Sequence, residues 1–105
     1  MENSCVFCNI NNENILFQNE HAFVIPDKFP QSKGHLLVIS KKHVKTYFEL
    51  SSDEKAAMLV LLDLAKIHTD EYHFPNGYNV SINAGEAAGQ IIMHAHIHLI
   101  PRYGR

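Results

Sequence analysis

The run His94-Ala95-His96-Ile97-His98-Leu99-Ile100-Pro101 constrains this chain more than any other stretch. A β-strand sends successive side chains to opposite faces. As a strand, this run gathers three imidazoles on one face and Ala95, Ile97 and Leu99 on the other. A helix would turn His96 away from His94 and His98. The β-branched Ile97 and Ile100, and Pro101 closing the run, favour the strand over residues 94–100. A sheet face crowded with imidazole points to chemistry or metal binding rather than packing.

Alternate strand positions lie roughly 6.6 Å apart, which separates His94 from His98 by about 13 Å. Two alternate histidines can reach one zinc ion. All three would need a bent strand, leaving at least one imidazole free. Free histidine titrates near pH ~6.5 and is mostly neutral and nucleophilic at pH 7. Just upstream, Asn83-Ala84-Gly85-Glu86-Ala87-Ala88-Gly89-Gln90 leaves the backbone thinly covered. Its N–H groups could approach a phosphate closely, with Asn83 and Gln90 as further donors. Beside the histidines, such a loop can serve as an oxyanion cradle; by itself it is also an ordinary turn.

The stretch 83–102 resembles the histidine triad family of nucleotide hydrolases and transferases. The resemblance extends to Asp27-Lys28-Phe29-Pro30-Gln31-Ser32-Lys33-Gly34-His35-Leu36-Leu37-Val38-Ile39-Ser40-Lys41-Lys42-His43, an aspartate followed by a Gly-His-apolar strand and a Lys-His. It implies that His96 attacks the α-phosphorus of a nucleotide, that His98 contacts the phosphate and that His94 supports the site. His43 falls at an additional active-site histidine. Asn83, Gly89 and Gln90 fall at phosphate-contacting positions, Asp27 where ribose hydroxyls bind, and Ile25 in the base pocket. Covalent catalysis through histidine splits one hard displacement into two easier ones, and it needs the other ring nitrogen held as a donor, as a carbonyl of the same strand could do. Read on its residues alone, Asp27 is also a plain turn residue after Pro26. The family commonly has serine or threonine after Gly-Gln, where this chain has Ile91, so slower turnover or an easier leaving group is expected.

Cys5-Val6-Phe7-Cys8 can chelate zinc, act as a redox pair or be two inert thiols. Some members of the family carry such a pair, which implies a structural zinc held by Cys5, Cys8, His43 and His94. No organic cofactor is expected.

At 105 residues, 46% apolar and with a formal net charge of −2, the chain reads as one domain, 1–105, with no nucleic-acid surface and no membrane span. Lys41-Lys42-His43-Val44-Lys45 reads as a solvated turn. Two cysteines and no export signal suggest a reducing cytoplasm. The predicted fold is α+β: an antiparallel five-stranded sheet with one long helix packed on it. Strands are expected over 15–18, 21–25, 35–40, 78–83 and 94–100. Ser51 and Glu54 form a capping box that opens a helix to about residue 72, with Ala57, Met58, Leu61, Leu64, Ala65 and His68 on its apolar face and Asp63, Lys66, Asp70 and Glu71 solvated. The apolar run 58–62 and the family resemblance imply a homodimer.

The function expected is hydrolysis of a purine nucleotide at its α-phosphorus, the leaving group being a second nucleotide of a dinucleoside polyphosphate or the amine of a phosphoramidate. Arg102 could meet distal phosphates or simply be solvated. A zinc-stabilised nucleotide-binding protein with little catalysis is the alternative, and a pure metal sensor a third.

Overall fold

The computed structural model describes residues 5–104. Its main elements are β1 (Phe17–Gln18), β2 (Ala22–Pro26), β3 (Leu36–Ser40), α1 (Ser52–His73), β4 (Gly77–Ser81) and β5 (His96–Arg102). Short 3-10 turns occupy Val6–Asn9, Asn12–Asn14, Tyr47–Glu49 and Glu86–Ala88. The strands form one antiparallel sheet in the order β1-β2-β3-β5-β4. The expected α+β architecture of five strands and one long helix is the one observed.

Strand alternation divides the sheet into two faces. Ala22, Val24, Leu36, Val38, Ala95, Ile97 and Leu99 pack against Met58, Leu61 and Ala65 of α1. The opposite face carries Phe23, Ile25, Leu37 and Ile39, covered by Phe7 from the N-terminal turn. His96 and His98 belong to this second face, because Ile97 between them is fully buried beneath the helix. The register sets Ile39 opposite His96 and Leu37 opposite His98.

α1 begins as its sequence dictates. Ser51 Oγ accepts from Glu54 N–H at 3.1 Å, and Glu54 returns the bond to Ser51 N–H at 2.7 Å. Its buried positions are Met58, Leu61, Ala65 and Thr69, at helical spacing. Leu64, expected on that face, is exposed instead, as are Leu59, Val60 and Ile67. Thr69 takes the buried place because its hydroxyl donates to Ala65 O at 2.9 Å and so needs no water. Asp70 is less solvated than expected, accepting from Tyr78 OH at 2.7 Å and Lys66 Nζ at 2.8 Å. The helix stops at Phe74, which takes the left-handed conformation (φ 51°) ahead of Pro75.

The strand ends differ from expectation for local reasons. β1 is shorter, since Ile15 ends the preceding 3-10 turn, although Leu16 N–H still reaches Val24 O at 2.8 Å. β2 is shifted one residue onward, because Asn19 Oδ1 accepts from both His21 and Ala22 N–H and keeps His21 in the turn. β3 begins at Leu36 rather than 35. β4 begins at Gly77 and ends at Ser81, where its pairing with His98 stops. β5 begins two residues late, at His96, and runs through Pro101 to Arg102. Proline is tolerated there because β3 pairs only as far as Leu99. Beyond that point Ser32 Oγ–H donates to Pro101 O. None of the helices among the described residues is long and apolar enough to cross a membrane.

Candidate active site and metal centre

His96 sits at the head of β5, 7% exposed. Its Nδ1 lies 2.6 Å from His94 O. A carbonyl oxygen only accepts, so Nδ1 carries the proton and Nε2 keeps its lone pair. Burial holds this imidazole below its ordinary pKa, outweighing the carbonyl bond that favours the charged form. At neutral pH His96 is therefore an uncharged ring with one nitrogen fixed and the other available.

His98 lies two residues on, its ring centroid 5.0 Å from that of His96. A fourth histidine orients it. His35 is buried, and its Nδ1 accepts from Gln31 N–H at 3.0 Å. Its proton must then be on Nε2, which is 3.0 Å from His98 Nδ1 and 3.3 Å from Asp27 Oδ2. His98 Nδ1 is thus an acceptor, and the remaining His98 proton is on Nε2, free to donate. Asp27 divides its carboxylate: Oδ1 accepts from Phe29 N–H at 2.9 Å, the turn bond, while Oδ2 faces His35. Desolvation pushes both His35 and His98 below the usual imidazole value. Asp27, His35 and His98 are close enough to hold a metal. The tautomers argue against it, since the His35 nitrogen facing the cluster bears a proton.

The sequence places His35 only at the start of a strand and gives no sign of its part in the site. The register explains what was missed. Leu37 opposes His98, which puts His35 diagonally across on the same face, within reach of a long side chain.

The loop before β5 is held by its own amide. Gln90 is buried; Nε2 donates to Lys45 O at 2.6 Å and Ile92 O at 3.0 Å, and Oε1 accepts from Gly85 N–H at 2.7 Å. Asn83 Nδ2 reaches Gly89 O at 3.4 Å. Gly85 and Gly89 both adopt positive φ, which explains glycine at these two positions. Ile91 is 91% exposed and Ile25 is buried on the histidine-bearing face. Arg102 lies away from this loop, bonded to Asn79 Oδ1 at 2.7 Å and Gln31 Oε1 at 3.3 Å.

His94 departs from the expected single face of three histidines. It precedes the paired strand, and its ring joins a different cluster. Nε2–H donates to Ser40 O at 2.7 Å, so Nδ1 is the free nitrogen. That nitrogen is 3.4 Å from Cys5 Sγ and 3.6 Å from Cys8 Sγ, while His43 Nδ1 is 2.9 Å from Cys8 Sγ. All four ligand atoms lie within 4.8 Å of one another. A tetrahedral ion with metal–sulfur bonds of about 2.3 Å and metal–nitrogen bonds of about 2.0 Å separates S from N by roughly 3.5 Å. Two of the three distances match that edge, and the carbonyl that fixes the His94 tautomer is the usual outer support of a ligating imidazole. Cys5, Cys8, His43 and His94 together could hold a metal ion.

Known proteins share this fold. The family model described as "HIT domain" matches residues 9–105. An uncharacterised HIT-like protein of Mycoplasma pneumoniae is 36% identical, over 96% of this chain and 73% of its own. A hypothetical histidine triad nucleotide-binding protein of Sulfolobus tokodaii superposes with a TM-score of 0.89 at 34% identity, over 96% of this chain and 70% of that one. Plasmodium falciparum diadenosine triphosphate hydrolase superposes with a TM-score of 0.84 at 25% identity, over 89% of this chain and 63% of that one. By its motif, its fold and these likenesses, the chain belongs to the histidine triad (HIT) family.

Proposed function

We propose that this protein hydrolyses purine nucleotides at the α-phosphorus through a covalent intermediate on His96. The observation that carries the reading is the 2.6 Å bond from His96 Nδ1–H to His94 O, which leaves Nε2 as the ring's only nucleophilic atom. In the first step a bond forms between Nε2 and phosphorus while the bond to the leaving group breaks, its electron pair going with the leaving group. Water then displaces His96 from phosphorus, releasing the mononucleotide. Such transfers depend on in-line positioning and on donors aimed at the developing charge. His98 Nε2–H is one such donor. Asn83, Gly89 and Gln90 line the loop that would cradle the phosphate, Gln90 chiefly by shaping it. Asp27 would accept from the ribose hydroxyls, and Ile25 would pack against the base. His94 serves by its carbonyl.

Zinc is the metal that the Cys5, Cys8, His43 and His94 set best suits, and a closed four-ligand site supplies cross-linking rather than an open position for substrate. The second subunit of a homodimer would cover the exposed Leu59, Val60, Leu64 and Ile67 of α1, continuing past the sheet edge at β4. Free cysteine ligands suit a reducing cytoplasm.

The leaving group would be a second nucleotide of a dinucleoside polyphosphate or the amine of a phosphoramidate. The test compares an adenosine phosphoramidate with a diadenosine polyphosphate, using native protein and His96→Ala. Trapped AMP on His96 and loss of turnover in the variant, with AMP affinity retained, are expected. The exposed apolar Ile91, where the family resemblance implies serine or threonine, favours a second reading, a nucleotide-binding protein with little catalysis. Tight AMP binding with no turnover of either substrate would decide for it. Turnover that Ile91→Thr leaves unchanged across several leaving groups would remove Ile91 from the argument.

A further inference from the structure

We infer that Phe7 is a positioning residue for His96, and that the metal cluster acts on the nucleophile by holding Phe7 and His94 in place. This rests on the reading of His96 as the nucleophile and adds to it a use for the metal centre beyond cross-linking.

The N-terminal turn Val6–Asn9 is capped by Cys5 and contains Cys8, so both cysteines of the cluster belong to it. Cys5 and Cys8 each approach His94 Nδ1, and Cys8 also approaches His43. Phe7 lies between those cysteines in sequence, and it is 6% exposed. Its ring packs T-shaped against two imidazoles, that of His94 at 5.8 Å and 81° and that of His96 at 5.1 Å and 76°. Edge-to-face packing at these separations is directional. It selects one rotamer of His96 from the side, while His94 O fixes the same ring at Nδ1. Both restraints lead back to the cluster. His94 is a member of it, and Phe7, packed in the cluster of Phe23, Ile25, Leu37 and Ile39, is carried by a four-residue turn that both cysteines pin.

A turn that short has little helical stability of its own. Without a metal, Cys5 and Cys8 have only weak thiol contacts to His94 and His43. Phe7 could then withdraw and release the His96 ring to other rotamers. The nucleotide contacts proposed above at Asp27, Asn83 and His98 come from other elements and would persist. The inference therefore separates catalysis from binding. Displacing a positioning group by about 1 Å can cost roughly a hundredfold in rate, and loss of an outer support typically costs 10–100-fold.

The experiment uses the whole chain, loaded with cobalt(II) for the optical spectrum, whose thiolate charge-transfer absorption reports the cluster, and with diamagnetic zinc for every other measurement. Three readouts are taken: rate of nucleotidyl adduct formation on His96, AMP affinity, and the ring nitrogen NMR signals of His96. For Phe7→Leu the cobalt spectrum and AMP affinity should be retained. Adduct formation should slow by roughly 10–100-fold, and the His96 signals should broaden or double. Native protein stripped by a chelator should show the same His96 signals, reversed when metal is restored. That arm holds even if Phe7→Leu does not fold. Adduct formation at the native rate in Phe7→Leu overturns the proposal, as does a parallel fall in AMP affinity and rate, which would make Phe7 a wall of the nucleotide pocket. A His96 spectrum indifferent to metal overturns the role of the cluster. If native protein forms no adduct, the catalytic reading fails separately, and the NMR signals alone decide whether Phe7 and the metal position His96.

Discussion

Gly34→Ala is the perturbation whose cost can be worked out most fully. Gly34 has φ +94° and delivers the chain into His35. A left-handed backbone costs a residue with a β-carbon roughly 1–2 kcal/mol. The added methyl would also stand 2.7 Å from His73 Cδ2 and 3.2 Å from both Cγ and Nε2 of that ring, too close for carbon. The ring of His73, the last residue of α1, would have to turn aside. Overpacking costs up to about 3 kcal/mol in a close-packed core and less against a half-buried ring, for a total of roughly 1–5 kcal/mol. The two parts are separable. In a His73→Ala background the ring is gone, and Gly34→Ala should cost only the backbone share of about 1–2 kcal/mol. Urea melts of the four proteins in this cycle measure the coupling, read from midpoints at constant m. A total loss below about 0.5 kcal/mol, or an equal loss with and without His73, would refute the reasoning.

Burial holds the His35 and His98 pKa values below 6.5. The unfolded chain then binds more protons than the native one in acid. Stability should be full above about pH 6.5 and fall as pH drops toward and through the lowered folded values. Urea melts at about pH 7.5 and about pH 5.5 should show it, and a slope unchanged in His35→Asn/His98→Asn would rule these two out as its source. Ile97 is fully buried between β3 and the helix, and Ile97→Ala should cost about 2–5 kcal/mol; a melt shifted by less than about 1 kcal/mol would mean the sheet closes over the cavity. Ser51→Ala removes the cap on Glu54 N–H and should cost about 1 kcal/mol, checked by thermal melting against Glu54→Gln. Leu64→Glu, on the exposed stripe of α1, should leave the melt of the monomer intact while halving the sedimenting mass; an unchanged mass would place any dimer interface elsewhere.

Much of the architecture could be read from local chemistry. The alternation around His96 is a property of neighbouring residues, and so is the Ser51–Glu54 box that starts α1. An antiparallel sheet with one helix packed on it followed from the run of elements, while the strand order β1-β2-β3-β5-β4 came only with the fold. Leu64 was misplaced because periodicity defines an apolar stripe wider than the sheet can cover, and only packing shows which part stays outside. Spacing alone pairs Cys5 with Cys8, but only the family resemblance joins them to His43 and His94, because nothing local makes those residues neighbours.

The histidine run by itself determined that a strand would carry imidazoles on one face, since side-chain alternation is built into an extended backbone. Only the tertiary structure decided what each imidazole does. The pairing of β5 with β3 begins at His96, which frees His94 to turn toward the cysteines and lends its carbonyl to His96. The same register brings His35, 63 residues away, to His98. Tautomers are set by whichever atom lies about 3 Å from a ring nitrogen, and that atom is chosen by the fold.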